Sequence, residues 1–180
     1  MRNCWQLWEG ILPKEKCEEL VFKCDQYPKQ DATIFSSIDY RPDKSMRDTQ
    51  VAFVNDPEIY KLIHYYFQEA NRNAFAVDMQ YIPHTQYGVY TEGSFYDWHY
   101  DVNWMADTPF DRKLSIVIQL SDPNDYEGGE FEFQRIEQPK GFRTQGSVLV
   151  FPSYLTHRVT TVTKGTRRSL VNWAEGPRWR

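Results

Sequence analysis

The stretch GSVLVFPSYLTHRVTTVTKGTRRSLVNW, residues 146–173, decides the fold. It contains three runs rich in Val, Leu, Thr and aromatic residues, which are SVLVFP at 147–152, HRVTTVT at 157–163 and RRSLVNW at 167–173. Short turn-forming segments such as TKGT separate the runs, and this pattern is typical of β-strands. The stretch therefore predicts short strands joined by tight turns.

Similar strand patterns occur upstream, and the first part of the chain also contains helical patterns. Pro13 opens a helix through about Asp25, and Asp56 and Pro57 begin a second helix whose apolar stripe extends to Ala70. Two helices followed by many short strands with Gly and Pro turns predict a mostly β fold, a double-sheet barrel or jelly roll with supporting N-terminal helices. The further predicted strands are residues 3–12, 33–38, 47–53, 77–82, 85–90, 114–120 and 130–134.

A chain of 180 residues has the size of one domain and can bury a sizeable core. We expect residues 1–180 to form a single domain, in which 1–75 supplies supporting helices and strands and 76–180 forms the β-core. The formal net charge is −4 and no long basic run occurs. This balance disfavours a nucleic-acid partner, because binding to the phosphate backbone needs a basic face.

The three cysteines, Cys4, Cys17 and Cys24, indicate a reducing compartment. No secretory signal opens the chain, and no apolar run is long enough to span a membrane. An odd number of cysteines without a signal is typical of reduced thiols. The expected location is the cytoplasm, with no membrane partner, and the sequence leaves the oligomeric state open.

A His-x-Asp motif, His99 and Asp101 in FYDWHYD at 95–101, is the first candidate for a metal site. In an extended strand residues i and i+2 point to the same face, so the imidazole and the carboxylate could bind one ion. His157, just after the strand-like run 147–152, is the candidate third ligand. Two histidines and one carboxylate on one face of an ion form the facial triad of non-haem Fe(II) oxygen chemistry. The alternative for the motif alone is a surface strand with a salt-linked histidine.

Arg167, ten residues after His157, adds a feature that a surface strand does not explain. Its planar guanidinium suits a carboxylate held by two hydrogen bonds, and an arginine inside a barrel would need such a partner. The dicarboxylate 2-oxoglutarate supplies one, since its keto-acid end chelates the metal and its distal carboxylate meets the arginine. The adjacent Arg168 would take this place if the strand register were shifted by one residue.

Two segments carry a resemblance to a known family, RKLSIVIQLSDPNDYEGGEFEF at 112–133 and the stretch at 146–173. The specific features are His-x-Asp, the Tyr-Glu-Gly-Gly-Glu turn at 126–130, and FPS-x-x-x-H followed by an arginine ten residues later. With these features the chain resembles the Fe(II)/2-oxoglutarate-dependent dioxygenases of the prolyl 4-hydroxylase type. Within them it is similar to the PKHD-type hydroxylase branch, from about residue 80 to the end of the sequence.

The resemblance implies a double-stranded β-helix and gives each candidate residue a role. His99, Asp101 and His157 would be the iron ligands, Arg167 would anchor 2-oxoglutarate, and Tyr90 would help to hold the same cosubstrate. The implied cofactors are Fe(II), 2-oxoglutarate and O2, with ascorbate as an additional candidate. The implied reaction converts 2-oxoglutarate to succinate and CO2 and hydroxylates a C–H bond. The aspartate favours hydroxylation, because relatives that halogenate lack this carboxylate.

The leading interpretation of the substrate is a prolyl residue in a peptide or protein, the best-known target of the family. Trp98, Tyr100 and Trp104 are candidates to stack on it. Trp104, Met105 and Phe110 lie in a polar loop, where they either form a lid or fold back onto the core. The alternatives are a free amino acid or other small molecule as substrate, a non-catalytic cupin-like metal-binding module, and a structural β-protein without metal. The dicarboxylate anchor favours an enzyme, because a plain metal-binding jelly roll does not need one.

Overall fold

Two helices precede the main run of strands, as the sequence predicts. The structure is a computed structural model, and it describes residues 4–35, 40–80, 84–105 and 107–179. Helix α1 is Lys14–Asp25, and helix α2 is Pro57–Ala70, which continues into a π-helical turn at Asn71–Phe75. The strands in chain order are β1 Gln6–Trp8, β2 Gln30–Asp31, β3 Ile34–Phe35, β4 Tyr40–Arg41, β5 Arg47–Asp48, β6 Gln50–Val54, β7 Thr85–Tyr90, β8 Phe95–His99, β9 Phe110–Gln119, β10 Tyr126–Gly128, β11 Phe131–Phe133, β12 Val148–Pro152, β13 His157–Val159, β14 Val162–Gly165 and β15 Arg167–Pro177.

The strands form two main antiparallel sheets that face each other. The larger sheet has the order β1-β12-β9-β15-β7-β6-β2, and the smaller sheet has the order β11-β13-β8-β5. A core cluster that contains Val117 and Phe151 of the larger sheet and Phe133 of the smaller sheet fills part of the space between them. Strands β10 and β14, and strands β3 and β4, form separate two-stranded ribbons. This is a jelly-roll arrangement, and the predicted mostly β fold with supporting helices is confirmed.

Strand β9 shows how the larger sheet separates a helical layer from an interior. Ile116 is fully buried in the main core cluster, which also contains Leu20 of α1 and Ile63 of α2. Successive side chains of a strand point to opposite faces, so the neighbouring Ser115 and Val117 face the smaller sheet. The helices therefore cover one face of the larger sheet, and the other face is free to carry a site.

The predicted strand at 77–82 is wrong where it can be tested, because residues 77–80 form no strand and residues 81–82 lie outside the described ranges. The side chain of Asn71 gives the reason. Its amide nitrogen donates to the carbonyl oxygen of Val77 at 2.9 Å, and its amide oxygen accepts from the Val77 N–H at 2.8 Å. Both backbone groups of Val77 are thereby satisfied without a neighbouring strand.

Other predicted strands are present with different bounds. The runs at 114–120 and 167–173 correspond to the longer strands Phe110–Gln119 and Arg167–Pro177, whereas turns and bulges shorten or divide five other runs. Three predicted strands are shorter in the structure: 3–12 is Gln6–Trp8, 33–38 is Ile34–Phe35 within the described range, and 130–134 is Phe131–Phe133. Two others are divided: 47–53 becomes Arg47–Asp48 and Gln50–Val54, and 157–163 becomes His157–Val159 and Val162–Gly165.

All three cysteines are free thiols, and two of them belong to the core. Cys17 and Cys24 are fully buried on α1, and Cys4 is exposed. Burial is the main cause that raises the pKa of the Cys17 thiol to about 11, so this thiol stays protonated. Within the described ranges, no helix combines the length and the apolar character needed to cross a membrane.

The start of α2 gives a direct test of the helical support. The Asp56 carboxylate accepts hydrogen bonds from the backbone N–H groups of Glu58 at 2.8 Å and Ile59 at 3.1 Å. Asp56→Ala removes this cap, and we expect the free energy of unfolding in urea to fall by about 1 kcal/mol. Asp56→Asn should retain most of the stability, because an amide oxygen can accept the same bonds. An unchanged unfolding midpoint for the alanine variant would show that the cap does not stabilise the fold.

Candidate functional site

A cavity of about 750 Å³ lies between the two sheets, and the residues predicted from the sequence line it. The larger sheet contributes Tyr90, Arg167 and Ser169, and the smaller sheet contributes His99 and His157. Antiparallel pairing of β13 with β8 sets His157 directly opposite His99. Residues that are distant in the sequence are thus side by side in the fold.

His99, Asp101 and His157 direct their potential ligand atoms to one point. These atoms all lie within 4.8 Å of one another. The Nε2 atom of His99 is 3.8 Å from Oδ1 of Asp101, and the Nε2 atom of His157 is 3.7 Å from Oδ2 of Asp101. The three side chains are between 6% and 12% exposed. Two imidazoles and one carboxylate in this arrangement could hold a divalent metal ion with coordination positions left open.

Backbone carbonyl oxygens orient both histidine rings. His99 Nδ1 lies 2.7 Å from the carbonyl oxygen of Asp97, and His157 Nδ1 lies 2.8 Å from the carbonyl oxygen of Leu155. A carbonyl oxygen can only accept a hydrogen bond, so each Nδ1 carries the proton and donates it. Each Nε2 therefore keeps its lone pair, and it faces the third side chain of the group.

Asp101 is held by two serines rather than by the strand that the sequence predicts. Strand β8 ends at His99, so the expected continuous strand through Asp101 is wrong. The backbone N–H of Asp101 donates to the carbonyl oxygen of Ser153 at 2.8 Å, and Ser115 Oγ donates to Asp101 Oδ2 at 2.6 Å. The two serine hydroxyls also hydrogen-bond each other at 2.9 Å. These contacts orient the carboxylate towards the histidines.

Burial and charge set the protonation states that a metal ion requires. Burial, followed by the positive charge of a protonated His157, lowers the pKa of His99 to about 3. Burial opposes ionisation of Asp101, but His157, His99 and Arg112 outweigh it and hold the pKa of this carboxyl below its ordinary value. At neutral pH the site therefore offers a neutral imidazole and a carboxylate, the forms that bind metals.

Arg167 is the largest fully buried side chain of the described residues, at 1% exposure. Its Nη1 lies 3.4 Å from Ser169 Oγ, its Cζ lies 5.4 Å from the centre of the Tyr90 ring, and its Nη2 has no hydrogen-bond partner. A buried cation without a carboxylate partner is costly, so the side chain needs an anion from outside the protein. The distal carboxylate of 2-oxoglutarate fits this requirement.

The neighbouring Arg168 points elsewhere. It lines a separate surface depression together with Asp25, Asp122 and Asp125. Its backbone N–H donates to Ser121 Oγ at 2.8 Å. The strand register therefore puts the side chain of residue 167, and not that of residue 168, in the cavity.

The Tyr-Glu-Gly-Gly-Glu segment at 126–130, which is predicted as a turn but begins with strand β10, packs against the stem of Arg167. Gly128 and Gly129 have φ values of 70° and 61°, in the left-handed region that favours glycine. A Cβ atom on Gly129 would lie 2.9 Å from a methyl group of Val162 and 3.1 Å from Cδ of Arg167. The absence of a side chain therefore lets the turn close on the arginine.

Aromatic residues surround the mouth of the cavity. Trp98, Tyr100 and Trp104, the predicted substrate contacts, all line it, and Tyr100 and Trp104 are about half exposed. Met105 also lines the cavity and is 77% exposed, whereas Phe110 is exposed without lining it. Phe110 is the first residue of strand β9 and not part of the predicted loop, and none of the residues 104, 105 and 110 folds back onto the core, so that alternative is excluded.

Sequence reasoning missed several residues of the site, and three of them stand out. Ser115 supports Asp101, and Arg47 and Arg112 line the cavity. The alternation of strand β9 could have indicated Ser115, because this polar residue stands between the apolar Leu114 and Ile116 and points to the opposite face. No local pattern identifies the two arginines, because sheet pairing between distant segments brings them to the cavity.

Comparison with known proteins agrees with this geometry. Residues 85–175 match the family described as the 2OG-Fe(II) oxygenase superfamily. A PKHD-type hydroxylase of Idiomarina loihiensis is 34% identical over 87 residues, which cover 48% of this chain and 39% of that protein. One of Gloeothece citriformis is 38% identical over 87 residues, which cover 48% of this chain and 40% of that protein. The matched part thus spans about two fifths of the length of these curated relatives.

Solved structures share the fold over nearly the whole chain. A viral collagen prolyl hydroxylase from Paramecium bursaria Chlorella virus-1 has a TM-score of 0.70 at 17% identity and covers 97% of both chains. A Pseudomonas putida prolyl-4-hydroxylase has a TM-score of 0.71 at 19% identity, over 99% of this chain and 94% of that chain. A Trichoplax adhaerens prolyl hydroxylase in complex with a peptide fragment has a TM-score of 0.77 at 13% identity, over 96% and 83% of the two chains. Because the family match at residues 85–175 covers half of the sequence, the chain belongs to the 2OG-Fe(II) oxygenase superfamily.

Proposed function

We propose that this protein is an Fe(II)- and 2-oxoglutarate-dependent dioxygenase that hydroxylates a C–H bond. The observation that carries the proposal is the buried Arg167, whose Nη2 has no partner and which shares one cavity with the His99, Asp101 and His157 group. A site that only stored a metal would have no use for this cation. A site that binds a dicarboxylate beside the metal requires it.

In this proposal each side chain has one task. His99, Asp101 and His157 hold Fe(II), Arg167 binds the distal carboxylate of 2-oxoglutarate, and Tyr90 packs beside that arginine. When bound, the metal and cosubstrate supply an oxidation in which O2, 2-oxoglutarate and the C–H bond give succinate, CO2 and an alcohol. The protein's part is to orient the ligands, to fix the cosubstrate with a planar fork of donors, and to exclude water from a buried site.

The proposed substrate is a prolyl residue in a peptide or protein. Two observations support it. The structural neighbours named above are prolyl hydroxylases, and one of them was solved with a peptide fragment. The half-exposed Tyr100 and Trp104 at the mouth of the cavity offer ring faces on which a pyrrolidine ring could pack. A free amino acid or other small molecule is the alternative, which the enclosed part of the cavity would also admit.

We also propose that the described residues act as one oxygenase domain in the cytoplasm. The core cluster joins residues of α1 and α2 to strands of the larger sheet, which supports residues 1–75 as a scaffold for a catalytic core at 76–180. The free thiols of Cys4, Cys17 and Cys24 support a reducing compartment. Ascorbate is the proposed reductant that keeps the iron in the Fe(II) state.

The first test is succinate formation from 2-oxoglutarate by the purified protein with Fe(II), ascorbate and air, with and without proline-containing peptides. We expect peptide-stimulated succinate and a matching peptide mass gain of one oxygen atom. Slow succinate formation without stimulation would support the cosubstrate chemistry and reject the peptides as substrates. No succinate from protein with verified iron content would contradict the proposed function and favour a metal-binding module.

A pair of adjacent arginine variants tests the anchor. Arg167→Ala should raise the 2-oxoglutarate concentration needed for half-maximal succinate formation by roughly tenfold or more, because two charge-assisted hydrogen bonds are lost. Metal affinity should stay close to that of the unmodified protein. Arg168→Ala is the matched control and should leave both quantities unchanged. A larger effect from Arg168→Ala than from Arg167→Ala would reverse the assignment.

A serine variant tests the support of the metal ligands. Ser115→Ala removes the hydroxyl that donates to Asp101, and we expect the affinity for Mn(II), measured by calorimetry, to fall by roughly tenfold. Ser147→Ala is a control at another fully buried serine, whose Oγ accepts from the N–H of Gly10 and donates to Gly141. It should lower stability and leave Mn(II) affinity intact. Equal Mn(II) affinities for the Ser115→Ala and unmodified proteins would refute the role of the serine.

A further inference from the structure

Two more guanidinium groups reach the cavity, in addition to the proposed cosubstrate anchor. Arg47 and Arg112 both line it, and among its described lining residues the only carboxylate is that of Asp101. This carboxylate already faces the two histidines and accepts a hydrogen bond from Ser115. The cavity therefore holds more positive than negative side chains.

Arg47 is buried, and its hydrogen-bonding capacity is only partly used. The side chain is 7% exposed, and one nitrogen, Nη2, donates to Gln86 Oε1 at 2.8 Å. Its Cζ lies 4.5 Å from the centre of the Tyr96 ring, which itself stacks on His99 at a centroid distance of 3.4 Å. The Nε atom is buried without any hydrogen-bond partner. A buried cation with an unpaired donor costs free energy unless a ligand compensates it.

Arg112 reaches the cavity from the larger sheet. Its Cζ lies 3.9 Å from the centre of the Trp173 ring, and Trp173 lines the same cavity. Among the described residues, no side-chain hydrogen bond or ion pair of this guanidinium is formed with a carboxylate. Both guanidinium groups thus stack on aromatic rings that line the same cavity, Arg47 on Tyr96 and Arg112 on Trp173.

A count of the formal charges in the proposed complex shows an excess of positive charge. Metal-bound histidines are neutral, the charges of Fe(II) and the 2-oxoglutarate dianion cancel, and the one negative charge of Asp101 offsets one of the three arginines. Two positive charges remain in the cavity, in which the side chain of Arg47 is buried and that of Arg112 is partly buried. The ligand that has not yet been considered is the substrate, so the substrate is the molecule that can balance them.

We propose that the substrate carries a carboxylate group and that Arg47 and Arg112 bind this group. The proposal rests on the proposed function and specifies its substrate class. Arginine is well suited to the task, because its planar donors match a carboxylate and its face stacks on an aromatic ring. The carboxylate could belong to a small acid such as a free amino acid, or to an acidic side chain beside the hydroxylated residue of a peptide.

Pairs of ligands that differ only in carrying a carboxylate or an uncharged amide test whether the substrate carboxylate is recognised. The first pair is acetyl-Glu-Pro-Glu-Gly-amide and acetyl-Gln-Pro-Gln-Gly-amide, and the second pair is L-proline and L-prolinamide. Binding to the protein with Fe(II) and 2-oxoglutarate is measured by calorimetry without O2, so that no turnover occurs. In at least one pair we expect the carboxylate member to bind roughly tenfold more tightly, or better. A preference in the peptide pair assigns the carboxylate to a peptide, and one in the proline pair assigns it to a small acid.

Variants connect the preference to the two arginines. Arg47→Gln and Arg112→Gln should each reduce the ratio of the two dissociation constants by roughly tenfold. Arg168→Gln removes a charge outside the cavity and should leave the ratio unchanged. If a glutamine variant fails to fold, as judged by its thermal unfolding, Arg47→Lys and Arg112→Lys replace it, and they should retain part of the preference because the charge remains.

The outcomes separate this inference from the proposed function. Equal binding of the carboxylate and amide members in both pairs would overturn it, as would a preference that persists in both glutamine variants. Substrate-independent succinate formation by the unmodified protein is measured in parallel. Succinate without a charge preference rejects only the carboxylate subsite, whereas no succinate under any condition rejects the oxygenase function itself.

Discussion

The structure depends on the strict alternation of side chains along the strands of the larger sheet. One face of this sheet must be apolar, because α1 and α2 pack on it. The residues between these apolar positions point to the opposite face, where they can be polar or apolar. The chain uses this opposite face of β9 and β15 for polar groups such as Ser115, Arg167 and Ser169, all of which are buried. A shift of one residue would expose the core and remove the site at the same time. Fold stability and site geometry are therefore fixed by the same register.

The second constraint is the free-energy cost of burying a charged side chain whose hydrogen-bond donors lack partners. The described interior contains Arg47 and Arg167 at less than a tenth of their full exposure, and each has a nitrogen without a partner. Burying such a group costs free energy, which a bound anion would offset. Under the two proposals above, 2-oxoglutarate is the anion that binds Arg167, and the substrate carboxylate is the anion that binds Arg47.

The sequence predicted those features that depend on local pattern or on a motif of fixed spacing. It predicted α2 from its cap and stripe, and it predicted the set His99, Asp101, His157 and Arg167, which the fold gathers in one cavity. It failed at residues 77–80, where the side chain of Asn71 replaces a strand partner, and it could not find Arg47. That arginine reaches the site because β5 pairs with β8, which is a long-range contact that leaves no local trace.

Backbone groups orient the two histidines of the candidate metal site, whereas a side chain orients the aspartate, so the two supports differ in their sensitivity to mutation. Both histidine rings are oriented by carbonyl oxygens two residues earlier in the chain, at positions 97 and 155. Every amino acid has this carbonyl, so substitutions at either position keep the ring orientation as long as the backbone keeps its path. The aspartate, in contrast, depends on the hydroxyl of Ser115, which only a few residue types can replace. Positions 97 and 155 therefore tolerate many side chains without loss of ring orientation, whereas position 115 tolerates only those that can donate a hydrogen bond to Asp101.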